Sequence, residues 1–403
     1  MIEKLVSALL YLLCWASFSS AAIFEVPKDY PTIQEAITGS QDGDTVLVAV
    51  GVYYENIDLN GKDILLSSLF LYDSSWQTVQ ETVIDGSQSS EADSGSVVIF
   101  HSGESNACRL NGFTIRAGFG TLTGGTYQGG GILCCSNSNP KITNNIIRHN
   151  NSITGGGCAF MDSNPILYRN LIDDNSAFVG GGMSLDNSRA VINNCVFAFN
   201  NATDSAGAMH ILLCDGTVVK NSVFYKNNIE TGSPWGAISC FFSFPQISYN
   251  DFYGNLGGDL GNCFEEYGDT SCCLNFNLIP CDTFFNIFRD PLFLDPAGGD
   301  FRVDPLSPLI DAGAGQSPDF PYNGIRNDIG LFEYQFLIGD SNNDSEFNVS
   351  DAYFLVRYIF EEGPPPLPLW AGDYNCDRVL DVSDVISMVN RIFFNAPGPC
   401  NDD

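Results

Sequence analysis

Between Gly129 and Asn255 the apolar positions recur in two linked patterns. The runs "GGGIL", "GGGCA", "GGGMS", "AGAMH" and "WGAIS" place Ile132, Cys158, Met183, Met209 and Ile238 in one column. Each is followed by a short alternating run, "NIIRHN", "NLIDDN", "CVFAFN", "SVFYKN" or "NDFYGN", ending at Asn150, Asn175, Asn200, Asn227 and Asn255. The step is mostly 25 to 28 residues. Alternating β-branched and aromatic residues between Gly and Asn turns predict short strands with no helical period. One such unit cannot bury its own apolar face, but stacked copies can, at about 4.8 Å per coil, with like residues in ladders. Asn is expected to take the left-handed bend and to bond to the Asn of the next coil, so this column is expected to be structural rather than catalytic.

The pattern changes at both ends. Near the start, Ile33, Ala36 and Ile37 share one face of a short predicted helix, with Pro31 in its first turn, suited to cover an open coil end. Near the finish, "GDSNNDSEFNVSD" from Gly339 and "GDYNCDRVLDVSD" from Gly372 are near copies. Places 1, 3, 5, 9 and 12 hold Asp340, Asn342, Asp344, Asn348 and Asp351 in the first loop, and Asp373, Asn375, Asp377, Asp381 and Asp384 in the second. That spacing wraps a twelve-residue loop so that hard oxygens, with the place-7 carbonyls of Glu346 and Val379, converge on calcium; two sites are expected. Each loop leads into a helical stripe: Ala352, Leu355, Val356 and Ile359, then Val385, Met388, Val389 and Ile392. Place 6 turns sharply and holds Ser345 and Arg378 instead of Gly, at a cost of about 1–2 kcal/mol per left-handed residue.

The repeat and the stretch "VPKDYPTIQEAITGSQDGDTVLVAVGVYYENIDLNGKDILLSS" resemble the right-handed parallel β-helix of the pectate-lyase-like kind, over residues 23–336. The stretch "DPLFLDPAGGDFRVDPLSPLIDAGAGQSPDFPYNGIRNDIGLFEY" is similar to the closing coils of exported members. Residues 337–403, with twin loops joined through "EEGPPPLPLW", resemble a type I dockerin, an α-helical EF-hand-like module that docks enzymes onto cohesin. The resemblance implies docking through Val349, Ser350, Val382 and Ser383. Its implied fold is an all-β, single-stranded solenoid carrying a small helical calcium-binding domain.

A net charge of −31 argues against nucleic acid and anionic membrane as partners. "MIEKLVSALLYLLCWASFSSAA" reads as a signal peptide over residues 1–22, with a cut near Ile23; no later run is long enough for a transmembrane segment. The expectation is a secreted or cell-surface protein. Fourteen cysteines suit an oxidising compartment, but thirteen follow the leader, so at least one lacks an internal partner. Adjacent pairs at Cys134–Cys135 and Cys272–Cys273 read as small buried hydrophobes or partners of distant cysteines, and Cys376 with Cys400 as a staple across the tail.

Chemistry on the solenoid is less marked. Three His, at 101, 149 and 210, include none between glycines, so the polygalacturonase-like motif is missing, as are the pectin-methylesterase-like motifs. In the column register, Arg148 lies against Asp173 and His149 against Asp174, with Phe199, Tyr225, Lys226 and Tyr253 continuing the strip. Two acids, two bases and aromatic faces on one strip suit a saccharide. Equally, opposite charges one coil apart stabilise strand pairing by a few tenths of a kcal/mol. Phe119, Tyr127, Phe178 and Trp235 in the loops after the Asn corners offer a second contact surface. Two readings follow. One is a carbohydrate-associated solenoid, binding or processing polysaccharide as a lyase or glycoside hydrolase would, and tethered by its tail to cohesin or a surface scaffold. The other is a non-enzymatic surface or adhesion protein.

Overall fold

Short apolar triplets, each closed by a left-handed residue, turn the chain through one coil after another. The computed structural model describes residues 21–88, 93–230, 235–263, 266–315, 326–377 and 379–398. The expected leader and Cys400 therefore lie outside the described residues. One coil runs through the strands Lys141–Thr143, Ile146–Arg148, Asn151–Thr154 and Cys158–Met161. Repetition of that path makes four sheets of nine, eight, seven and eight strands, nearly all in parallel pairing with the coil before and after. The column read from the sequence aligns residue on residue: Ile132 on Cys158, Cys158 on Met183, Met183 on Met209 and Met209 on Ile238. The fold is a right-handed parallel β-helix.

The inward residues of each strand stack along the axis. Phe197, Phe224 and Phe252 lie ring on ring at 5.0 and 4.9 Å, and each is fully buried. Helix α1 (Ile33–Gly39) closes the first coil with Ile33, Ala36 and Ile37 buried. Pro31 lies before the helix rather than in its first turn, because Thr32 is the N-cap and its hydroxyl accepts the Glu35 amide.

At the Asn corner the amides form the expected ladder. Asn150, Asn175, Asn200 and Asn227 each donate both a backbone and a side-chain N–H to the Oδ1 of the next, at 2.9–3.1 Å. The left-handed conformation, however, belongs to the residue before each of them: His149, Asp174, Phe199, Lys226 and Gly254 all have φ between 49° and 68°. The physical reason is burial. The ladder Asn must point inward to meet its neighbour, so its predecessor takes the bend and points outward.

Two short helices, α2 (Phe70–Asp73) and α3 (Trp76–Glu81), interrupt an early coil. The chain then returns after the last coils and covers the outer face of the eight-stranded sheet that contains Ile146–Arg148. Ile287, Phe301, Val303, Leu309, Ile329 and Leu331 pack there against Ile146, Leu171, Val196 and Val223. Beyond it, α4 (Val349–Phe360) and α5 (Val382–Phe394) bury Ala352, Leu355, Val385 and Met388 with Tyr374 in a cluster of their own. The predicted stripes supply that cluster, and Phe347 stacks on Tyr374 at 5.0 Å. Trp370 Nε1 donates to Asn277 Oδ1 at 3.0 Å, joining the Pro-rich connection to the solenoid's last loops.

Candidate functional site

The tail loops bring the acids together through their own backbone. Asp340 accepts the amides of Asp344 and Ser345, and Asp351 accepts those of Asn342 and Asn348. Left-handed turns at Asn343 and Ser345 (φ 58° and 68°) let the loop reverse over so few residues. Asp340, Asp344 and Asp351 thereby hold one oxygen each within 4.8 Å of one another. Calcium–oxygen bonds of about 2.4 Å can span that separation, so these donors fit calcium. Asp340 and Asp351 are buried, and among the described residues no Lys or Arg pairs with the trio. Burial raises the Asp351 carboxyl, and the neighbouring Asp340 and Asp344 add to the rise.

The second loop repeats the wiring. Asp384 accepts the amides of Asn375 and Asp381, and Asp377 accepts that of Val379. Asn375 Nδ2 donates to Asp377 Oδ2 and Ser383 Oγ, as Asn342 does to Asp344 and Ser350. Among the described residues, Asp373, Asp377 and Asp384 do not close to the distance reached by the first trio. Arg378, at place 6, lies outside the described residues.

Asn348 and Asp381 are also the N-caps of α4 and α5, and Asp351 and Asp384 complete capping boxes. One side chain therefore serves both loop and helix, which ties helix formation to loop closure. Of the docking candidates, Val349 and Val382 are exposed at equivalent positions, while the Ser350 and Ser383 hydroxyls bond within their loops. One turn further on, Tyr353 and Ile386 extend the same exposed faces. Their i, i+4 spacing from the valines is a signal the sequence reading left unused. Cys376 is disulfide-bonded, whereas Cys400, its expected partner, is not described.

On the solenoid the expected strip is contiguous, but two of its residues, Asp173 and Tyr225, are buried. Arg148 pairs with Asp173 across coils, with Nη2 2.8 Å from Asp173 Oδ2 and 3.6 Å from Asp174 Oδ2. Further along, Phe199 meets Tyr225 edge-on, Tyr225 stacks on Tyr253, and Lys226 Nζ lies 4.7 Å over the Tyr225 ring. Phe293, from the returning chain, packs edge-on against Tyr225 and leaves it almost no exposure. Asp173 is 1% exposed, so neither it nor Tyr225 is open to a ligand along the expected strip. His149, Asp174 and Lys226 remain on the outside, directed there by their left-handed backbone. Burial lowers the His149 pKa, and Arg148 lowers it further. The sequence reading also missed the roof: Trp76, Gln77 and Gln80 of α3 face Gly298–Arg302 and Phe332 across a pocket of about 460 Å³.

Asp173 Oδ1 and Arg148 Nε are buried without a hydrogen-bond partner among the described residues. Burial lifts the Asp173 carboxyl to about 7, outweighing the pull of Arg148. A carboxyl raised on folding binds more protons folded than unfolded between its two pKa values, so it makes stability fall as pH rises across that window. Asp173 is therefore expected to contribute a loss of stability from about pH 4 to about pH 7. Thermal melts over that range should show a shallower decline in Asp173→Asn than in the native chain; equal slopes would contradict the assignment.

Residues 67–255 match a family model described as a right handed beta helix region. No curated protein matches the sequence. Among solved structures, pectate lyase Pel9A is similar at 14% identity, over 79% of this chain and 98% of its own, with a TM-score of 0.39. A pectin methylesterase mutant in complex with a hexasaccharide is similar at 12% identity, over 58% of this chain and 78% of its own, with a TM-score of 0.32.

Proposed function

We propose that this chain is an exported, carbohydrate-associated solenoid whose C-terminal helix pair is closed by calcium and tethers it to a cohesin-like or surface scaffold. The observation that carries the reading is the convergence of Asp340, Asp344 and Asp351 in a loop whose wiring a second loop repeats. Asn342, Asn348 and the Glu346 carbonyl would complete the first site; Asp373, Asn375, Asp377, Asp381, Asp384 and the Val379 carbonyl would form the second. The ion would supply positive charge where the first loop has gathered acids that no described Lys or Arg pairs with. Val349 and Val382, with Ser350 and Ser383 beside them, are the proposed docking surface. Polysaccharide is the proposed ligand of the solenoid, on the strength of its aromatic and charged outer columns.

A second reading, a non-enzymatic surface or adhesion protein, is favoured by one observation: Asp173 is buried and already paired with Arg148. A panel of neutral and uronic polysaccharides, presented to the full chain with calcium and with chelator, separates the two. Released oligosaccharide marks processing, and retention without release marks binding alone. Neither outcome with any member would overturn the polysaccharide reading.

A further inference from the structure

The turn from the strand ending at Met161 to the strand starting at Ile166 has a sequence pattern of its own, repeated in five coils. The segments are "NSN", "DSN", "NSR", "LCD" and "FSF", starting at Asn137, Asp162, Asn187, Leu213 and Phe242. The middle residues, Ser138, Ser163, Ser188, Cys214 and Ser243, are buried. They form a rung-to-rung ladder: Ser163 N donates to Ser188 Oγ, Ser188 N to Cys214 Sγ and Cys214 N to Ser243 Oγ, at 2.9–3.2 Å. Each first residue is left-handed, with φ between 46° and 62°.

That geometry sends the flanking residues outward in two parallel columns. One is Asn137, Asp162, Asn187, Leu213 and Phe242; the other is Asn139, Asn164, Arg189, Asp215 and Phe244. Four steps of about 4.8 Å give them a length of roughly 19 Å. Between them lies an open groove of about 620 Å³, lined by Asn164, Asn187, Ser188, Arg189, Leu213 and Asp215. Leu213, in the lining, is 55% exposed, and on the next coil, beyond the lining, Phe242 and Phe244 are 81% and 64% exposed. Asp215 Oδ1 accepts the Phe244 amide, which holds the aromatic end against the polar end. Arg189 is bound through its backbone to Asn164, and among the described residues its guanidinium has no ion-pair partner.

We propose that this groove binds an uncharged oligosaccharide, with sugar faces on Phe242 and Phe244 and hydroxyls on Arg189, Asp215 and the Asn164 and Asn187 amides. The proposal rests on the polysaccharide reading above and assigns it a site separate from the Arg148–Asp173 strip. Two observations favour this ligand. Ring faces beside a few fixed polar groups suit a saccharide, which has apolar C–H faces and polar edges. Charge selects the class: Asp215 lines the groove, Asp162 accepts the Asn187 side-chain amide at 2.6 Å and Asp186 precedes Asn187 in the chain, against one guanidinium, so a polyuronide would be repelled. Burial and the nearby Asp162 raise the Asp186 carboxyl, as expected where acids crowd.

The test is calorimetric titration of the full chain with cellopentaose, xylopentaose, mannopentaose and a polygalacturonate fragment. At least one neutral pentasaccharide should bind, and Phe242→Ala combined with Phe244→Ala should weaken it tenfold or more. Arg189→Ala should weaken it severalfold, while Tyr253→Ala, on the strip, should leave it unchanged. Phe242, Phe244 and Arg189 are exposed and Tyr253 is half-buried, and melting temperatures equal to the native chain's would establish that the variants fold. Binding that survives the groove variants but is lost in Tyr253→Ala overturns the groove and leaves the polysaccharide reading standing. Preference for polygalacturonate overturns the choice of ligand, and absence of binding by every probe overturns the groove and the reading together.

Discussion

Chelating calcium is expected to melt the C-terminal helix pair while leaving the strand signal of the solenoid in place. The helices α4 and α5 share a small core in which Ala352, Leu355, Tyr374, Val385 and Met388 are the buried apolar side chains. Large apolar side chains contribute about 1.5–3 kcal/mol each when fully buried, against a backbone ordering cost of about 1–2 kcal/mol per residue. Such a core cannot hold two loops of mutually repelling acids shut unaided. A cation at a hundred times its dissociation constant adds about 2.7 kcal/mol per site, enough to decide whether a unit this small is folded. Because Asp351 and Asp384 cap the helices as well as close the loops, loss of the ion should appear directly as loss of helix.

Asp340→Ala combined with Asp373→Ala should reproduce the effect of chelation in the presence of calcium. The check is circular dichroism with and without chelator, followed by a calcium titration of the melted tail. An unchanged helical signal and unchanged melting after chelation would remove the metal from the account. Melting of solenoid and tail together would instead show that the two share one cooperative unit. The Trp370–Asn277 hydrogen bond is the contact to remove next in that event.

The second large effect is expected at the ladder. Asn200→Ala should destabilise the solenoid by about 3–4 kcal/mol, because several buried groups lose partners at once. Asn200 Oδ1 accepts both the backbone and side-chain N–H of Asn175, and its amide donates to the Ile172 carbonyl and to Asn227 Oδ1. All of these lie in the buried interior, where a stranded donor costs about 1–3 kcal/mol. Asn201→Ala, one residue later and partly exposed, removes bonds to Glu230 and Asn228 and should cost under about 1 kcal/mol. Denaturant unfolding of the two variants measures the contrast. Equal losses would mean that the ladder adds little beyond strand pairing.

Much of the fold could be read from the chain because neighbouring coils are also neighbours in sequence. A residue of one coil meets its counterpart about 25 positions on, as Asn150 meets Asn175, so structural columns appear as sequence repeats. A second ladder was harder to see because its residue type changes along it. Asn145 bonds to Asn170, the next rungs are Cys195 and Ser222, and Asn250 and Asn286 resume the series. The Ser corner behind the proposed groove was hidden in the same way, since Cys214 substitutes for Ser and the exposed residues on either side vary.

The amino-acid order by itself determined the coil, its inward columns, the Asn ladder, the closing helix and the twelve-place spacing of the terminal acids, because each depends on residues near in sequence or one period apart. Only the tertiary structure decided which outer columns face water. The return of residues 287–315 and 326–336 over one sheet covers Tyr225, whereas Phe242 and Phe244 at their corner stay exposed. A covering segment that lies outside the repeat leaves no period in the sequence, and it is the cover, not the column, that separates a buried side chain from a surface that can meet a ligand.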